Sequence, residues 1–194
     1  MNPAVSELYN FAFRGVLAEE ALDGQGRKSK MLLKLSDEDI AKAIALESLD
    51  SVHVANARAM AIVYTAIAAF ESGVRELVTK VLKDKYAEEW WDKGFPNSVR
   101  EKAMKRIADE QNARWHSQRG QDPINYTLLG DLKNAMNNNW TEFEDIVGQL
   151  SWASGIFDVV ERSRNVIMHS GTLEREDIDR LGVNIRDWVK QVGA

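Results

Sequence analysis

From Asp50 to Asp84 the chain runs without a proline, and apolar residues recur at helical spacing on most sides between Ala55 and Leu82. A helix of that length and apolarity predicts a central element covered by several neighbours. No long segment alternates apolar and polar residues as a strand would, and the three prolines stand at Pro3, Pro96 and Pro123. Helical periodicity recurs elsewhere. A first helix is expected over Ser6–Leu22, stopped by Asp23-Gly24-Gln25-Gly26 and followed by a basic stretch with Arg27, Lys28, Lys30 and Lys34. Ser36 caps a second helix whose first turn, Asp37-Glu38-Asp39, carries the negative charge a helix N-terminus favours. After the long helix, Trp90-Trp91 and Gly94-Phe95-Pro96 form a break. A charged helix is expected over Ser98–Gln118, a loop over Gly120–Pro123, and shorter helices near Leu128–Asn138 and Thr141–Val147. Two more follow, Ser151–His169 and about Glu174–Val192. The last places Ile178, Leu181, Ile185, Trp188 and Val192 on one stripe. The fold class is all-α: a helical domain over 51–194 with a helical extension over 1–50, one compact unit overall.

At 194 residues a chain buries roughly 70% of its unfolded surface, so a core needs no disulfide or metal. There is no cysteine, which removes thiolate zinc sites, iron–sulfur clusters and thiol nucleophiles. The net charge of −5 argues against coating nucleic acid through bulk charge, but leaves room for local basic contacts. The N-terminus lacks the basic and apolar regions of a signal peptide, and the most apolar stretch, Ala59–Phe70, is short for a bilayer. A cytoplasmic protein with no membrane partner is the expectation. Near-neutral acid–base chemistry is confined to His53, His116 and His169.

On a wheel of about 100° per residue, Trp152, Ile156, Val159, Val160, Val166 and Ile167 gather on one face of Ser151–His169, which is expected to point into the core. Asp158, Glu161, Arg162, Asn165 and His169 form the opposite face. Glu161, Asn165 and His169 are successive i, i+4 neighbours. A polar back is ordinary for a bundle helix and accounts for Asp158. It accounts less well for His169, in the last turn beside the Ser170-Gly171 stop.

The stretch Glu161-Arg162-Ser163-Arg164-Asn165-Val166-Ile167-Met168-His169 resembles the signature of the HEPN superfamily, an arginine followed four to six residues later by histidine, with a polar residue after the arginine. Phe70-Glu71 with Val74-Arg75, then Leu82 and Trp90-Trp91, are similar to the long helix of the Swt-type HEPN group and its tryptophan pair. Tyr126, Gly130-Asp131-Leu132, Asn139-Trp140 and Phe143 are similar to the segment before its catalytic helix. The resemblance implies a HEPN-like helical bundle that pairs as a homodimer. It further implies metal-independent RNA cleavage, with Arg164 and His169 of both copies lining a shared cleft, as in a toxin or an effector of defence against phage. An antitoxin or another partner protein belongs to that setting. Toxins of this superfamily controlled by a nucleotidyltransferase antitoxin carry a tyrosine two residues after the histidine. Here that residue is Gly171, which offers no hydroxyl for that control.

The residue types suit the reaction. Cleaving RNA without a metal needs one group to take the 2′-hydroxyl proton and another to protonate the leaving oxygen, and imidazole does either near neutrality. A guanidinium supplies permanent charge and a fork for the developing phosphorane. One point stays open: Arg164 and His169 lie about 140° apart on a straight helix, whereas Arg162 and His169 share a face. The motif favours Arg164 because Asn165 follows it; single-helix geometry favours Arg162.

The other candidates have ordinary alternatives. Glu71 and Arg75 make an i, i+4 ion pair, or Glu71 orients Arg164 or His169. Arg100, Lys102, Lys105, Arg106, Arg114 and Arg119 face Glu101, Asp109 and Glu110, net +3. They form a solvated face, or an RNA track in which Arg114 and Arg106 hold phosphate and Trp115 stacks a base. His53 and His116 read as surface histidines, and the six tryptophans as core and interface anchors. No metal cluster, phosphate loop or dinucleotide motif is legible, so no cofactor is expected. The rival to the nuclease is a non-catalytic HEPN module that binds RNA or a protein partner; a structural dimerisation domain is the third reading.

Overall fold

The computed structural model describes residues 36–193. The expected helix over Ser6–Leu22, its stop and the basic stretch after it lie outside the described residues. Two compact units divide at Ser51/Val52. The first contains α1 (Asp37–Ala43), opened by the anticipated cap: the Asp39 amide donates to Ser36 Oγ at 3.1 Å, and the Ser36 amide donates back to the Asp39 carboxylate at 3.2 Å. A short 3₁₀ turn, Leu46–Ser48, ends it, entered through Ala45 at φ 51°.

The second unit is all helical among the described residues. α2 (Ser51–Tyr86) is 36 residues long, about 54 Å. It buries one stripe, Met60, Ile67, Phe70, Val74, Val78, Val81 and Leu82. The sequence predicts cover on most sides, and here the structure differs: Ile62 is 76% exposed, and Ala55, Ala59, Ala66 and Ala69 are exposed with it. The reason lies in the residue type. Alanine counts as apolar but favours the helix whatever covers it, and it brings little surface to bury. The exposed apolar run is also longer than Ala59–Phe70. The helical run Ser51–Gly94 contains an 18-residue window long and apolar enough to cross a membrane, with 11% of it buried, so length does not exclude a bilayer. Met60, Ile67 and Phe70 on this helix are buried, whereas Ile62 and Tyr64 are not.

The tryptophan break is a 3₁₀ turn, Ala87–Glu89, and a one-turn helix α3 (Trp90–Gly94). A Cβ on Gly94 would sit 2.7 Å from Leu82 Cδ1, so glycine permits the close return against α2. Buried Asn139 locks this corner. Its amide donates to the Gly94 and Ala135 carbonyls at 2.9 and 2.7 Å, and its oxygen accepts from Tyr86 at 2.8 Å.

α4 (Asn97–Asn112) ends six residues before the expected Gln118. No glycine or proline marks the stop. Instead Arg119 folds the following loop back, its amide donating to Glu110 at 3.1 Å and its Nε lying 2.7 Å from the same carboxylate. A 3₁₀ turn over Pro123–Tyr126 leads into α5 (Leu129–Asn138), α6 (Trp140–Val147), α7 (Leu150–Met168) and α8 (Arg175–Val192). α7 packs against α5, α6 and α8 and buries Ala153, Ile156, Phe157, Val160 and Ser163. Trp188 on α8 closes the core. It meets Phe70 at 5.7 Å and Phe157 at 5.2 Å, and stacks on Trp152 at 5.9 Å. Each such ring pair contributes about 0.5–1.5 kcal/mol beyond its buried area.

Candidate functional site

α7 brings the motif to the site, and its last turn departs from an ideal wheel. Val166, expected in the core, is 39% exposed, and Met168 is 55% exposed, while Ile167 alone still packs on the core. The covering layer runs out before the helix does.

The helix stops through paired capping bonds. The Gly171 amide donates to the Val166 carbonyl at 2.8 Å, and the Ser170 amide donates to Ile167 at 3.0 Å. This is the 6→1 and 5→2 pattern of a Schellman end. The left-handed residue is Ser170, at φ 61°, rather than the glycine. Gly171 is required for a different reason: a Cβ there would lie 2.7 Å from Val166 Cγ1 and 2.8 Å from the Val166 carbonyl oxygen. His169 is thereby fixed as the C-cap, exposed at the helix end.

Arg164 is half-buried and turned toward α2, its Nε 3.3 Å from Glu71 Oε1. The other Glu71 oxygen takes Arg75 at 3.2 Å, and Arg75 also donates to the Thr127 carbonyl at 3.1 Å. Glu71 therefore makes the i, i+4 ion pair with Arg75 and a second ion pair with Arg164. With a side chain only 13% exposed, Glu71 carries one charge between two guanidiniums. The hydrogen bond from Arg75 is charge-assisted, about twice as strong as a neutral one, and the contact with Arg164 is an ion pair.

The remaining candidates are distributed as follows. Arg162 and Asn165 are exposed and Glu161 is half-buried; no side-chain hydrogen bond links Glu161, Asn165 and His169 among the described residues. Within one copy, Arg164 reaches toward Glu71 and His169 stands at the solvent-facing helix end. Arg106 is not an open phosphate hook. Its guanidinium donates to the Tyr126 carbonyl and lies 3.5 Å from buried Asp131, strapping α4 to the Pro123–Tyr126 turn. Arg114 and Trp115 follow the end of α4 in a turn, and Trp115 is 86% exposed, its ring 5.5 Å from that of His116. His53 is exposed. Burial pushes the Glu110 carboxyl up, but the Arg119 amide, the Tyr126 hydroxyl and the Arg119 charge more than offset this and hold it below the usual range. Among the described residues no three His, Asp or Glu side chains converge as a metal site would require.

Sequence reasoning missed the anchor at Thr127. Arg75 was legible as a helical ion-pair partner, but its bond to a carbonyl 52 positions away was not.

The sequence model of the Swt1-like HEPN family matches residues 65–193, about two thirds of the chain. The match covers most of α2, the Arg164–His169 helix and α8. The chain belongs to the Swt1-like HEPN family. No curated protein and no solved structure matches it.

Proposed function

We propose that this chain is a metal-independent endoribonuclease of HEPN type, acting in the cytoplasm as a toxin or as an effector of defence against phage, and that its working form is a homodimer. The observation that carries the reading is the Glu71-held Arg164 on the same helix whose capped end exposes His169. One side chain is a permanent cation with a fixed orientation, and the other is a proton carrier left open to solvent. Together they match what in-line attack by a 2′-hydroxyl needs.

Pairing follows from what one copy lacks. Arg164 and His169 do not share a face of α7, so a second copy is assigned the complementary group, one histidine acting as base and its mate as acid. The exposed side chains Ile62, Tyr64, Val166 and Met168 supply apolar surface for such a contact. A stable interface of this kind buries about 1,200–2,000 Å².

The test is mixed RNA incubated with the purified protein in excess chelator, beside His169→Ala. Products with cyclic-phosphate ends, lost in the variant while its helical signal is retained, support the reading; undiminished cleavage by the variant overturns it. The non-catalytic module is the second reading, favoured by 86% exposed Trp115 beside Arg114, which suits stacking and phosphate contact without chemistry. Binding without cleavage decides for it.

A further inference from the structure

Next to the Glu71–Arg75 pair, a groove of about 440 Å³ runs between α2 and residues 122–125. Its size falls in the range of small-ligand sites. Arg75 and Lys80 bring two cations, Glu76 and Asp122 bring two carboxylates, Asn125 brings an amide, and Ile124 adds an apolar surface. We propose that this groove is a ribonucleotide subsite that holds a residue of the RNA flanking the phosphate at Arg164 and His169. The proposal rests on the ribonuclease reading for its connection to the cut, though not for the groove itself.

The mixture of groups selects the ligand class. A bare anion meets two carboxylates, a bare cation meets Arg75 and Lys80, and an apolar molecule finds little but Ile124. A ribonucleotide presents a phosphate for Lys80, sugar hydroxyls that donate to Glu76 or Asp122, a base edge for Asn125 and a base face for Ile124. Arg75 contributes a second sign. Its Nε is buried with no acceptor among the described residues, although its Nη2 is fully engaged by Glu71 and Thr127. An unpaired buried donor on a residue that lines the groove would gain an acceptor if a ligand oxygen displaced the side chain enough to reach it. The same arginine touches the carboxylate that holds Arg164, so the groove begins at that link and runs along α2 from Ser72 to Lys80, about 12 Å.

The experiment measures equilibrium binding of a labelled mixed-sequence octaribonucleotide and its deoxy counterpart to full-length protein carrying His169→Ala, with and without Lys80→Ala, Asn125→Ala or Asp122→Asn. Helical content and thermal midpoint are checked for every variant. Lys80→Ala and Asn125→Ala are expected to weaken RNA binding about tenfold each. Asp122→Asn should erase part of the preference for RNA over DNA. RNA affinities within twofold of the parent for all three variants overturn the proposal. In the His169 wild-type background, Lys80→Ala should lower kcat/KM chiefly by raising KM. If wild-type protein cleaves RNA and the groove variants change neither constant, the subsite falls and the nuclease stands. If the variants weaken binding but the wild type never cleaves, the nuclease falls and the groove stands as an RNA site of a binding module.

Discussion

Arg164 Nε lies 3.3 Å from Glu71 Oε1, and the carboxylate that holds it is itself held by Arg75 from the far side. The arginine of the motif is thus aimed from another helix, 93 positions earlier in the chain. This ties the site to the register between α2 and α7 rather than to α7 alone.

Glu71→Gln tests that coupling. The amide keeps the shape but removes the charge between two guanidiniums, leaving Arg75 and Arg164 as neighbours of like sign. Because the pair is only partly buried, the expected loss of stability is modest, about 1–2 kcal/mol by chemical denaturation. RNA cleavage should fall more than stability predicts, about 10- to 100-fold in kcat/KM, since a misplaced cation no longer meets the developing charge. An activity loss no larger than the lost folded fraction would show that Glu71 only holds helices together.

Arg162 and Arg164 are separated by substitution to lysine. Lysine retains the charge but not the planar fork, so Arg164→Lys is expected to cost about 100-fold in cleavage. Arg162→Lys, exposed on the surface of α7, should stay within about twofold. The reverse pattern in single-turnover rates would transfer the role to Arg162.

The end of α7 gives two substitutions of opposite sign. Ser170 occupies a left-handed conformation at φ 61°, so Ser170→Gly relieves strain and should stabilise by about 0.5–1 kcal/mol, raising Tm by roughly 1–4 °C. Gly171→Ala drives a Cβ into Val166 and its carbonyl, and should lower Tm while displacing His169. Scanning calorimetry reads the first pair of effects, and RNA cleavage at a temperature where both variants are folded reads the displacement.

The loop bearing Trp115 should depend on pH through Glu110. Its carboxyl is held below the ordinary range, so the ionised form favours the folded loop. That contribution is present above the unfolded value and is lost as pH falls through the lower folded value. Acidification therefore releases Arg119 and frees the segment from Ala113 to Asp122. Quenching of Trp115 by iodide, isolated as the difference from Trp115→Phe, should rise in that acid window. In Glu110→Gln it should be high and flat with pH.

Much of this architecture was legible in advance. Ser36 with Asp39 marks a helix start by local chemistry alone, and the apolar stripe through Leu181 and Trp188 identifies the core face of α8. The Arg164-to-His169 spacing, with the residues around it, pointed to the HEPN family whose model matches residues 65–193. What escaped depends on partners distant in sequence. The end of α4 at Asn112 is set by Arg119 closing on Glu110, with no stop residue to read. Arg106 resembles a free surface cation until Tyr126 and Asp131 claim it. Val166 fits the core face by angle, yet no neighbour extends far enough to cover it. The groove joins α2 to residues 122–125, some 45 positions later, and no periodicity encodes that meeting.

The left-handed serine and the glycine behind it also act as a ruler. In a helix each residue added or removed swings everything after it by about 100° and 1.5 Å. A single insertion between Arg164 and Ser170 would move the terminator along with His169 and turn the imidazole away from its present heading, while Arg164 stayed at Glu71. Length variation is therefore expected in the turn around Trp115, where no such spacing ties one candidate side chain to another, and not in this six-residue interval, whose count fixes the heading of His169 relative to Arg164.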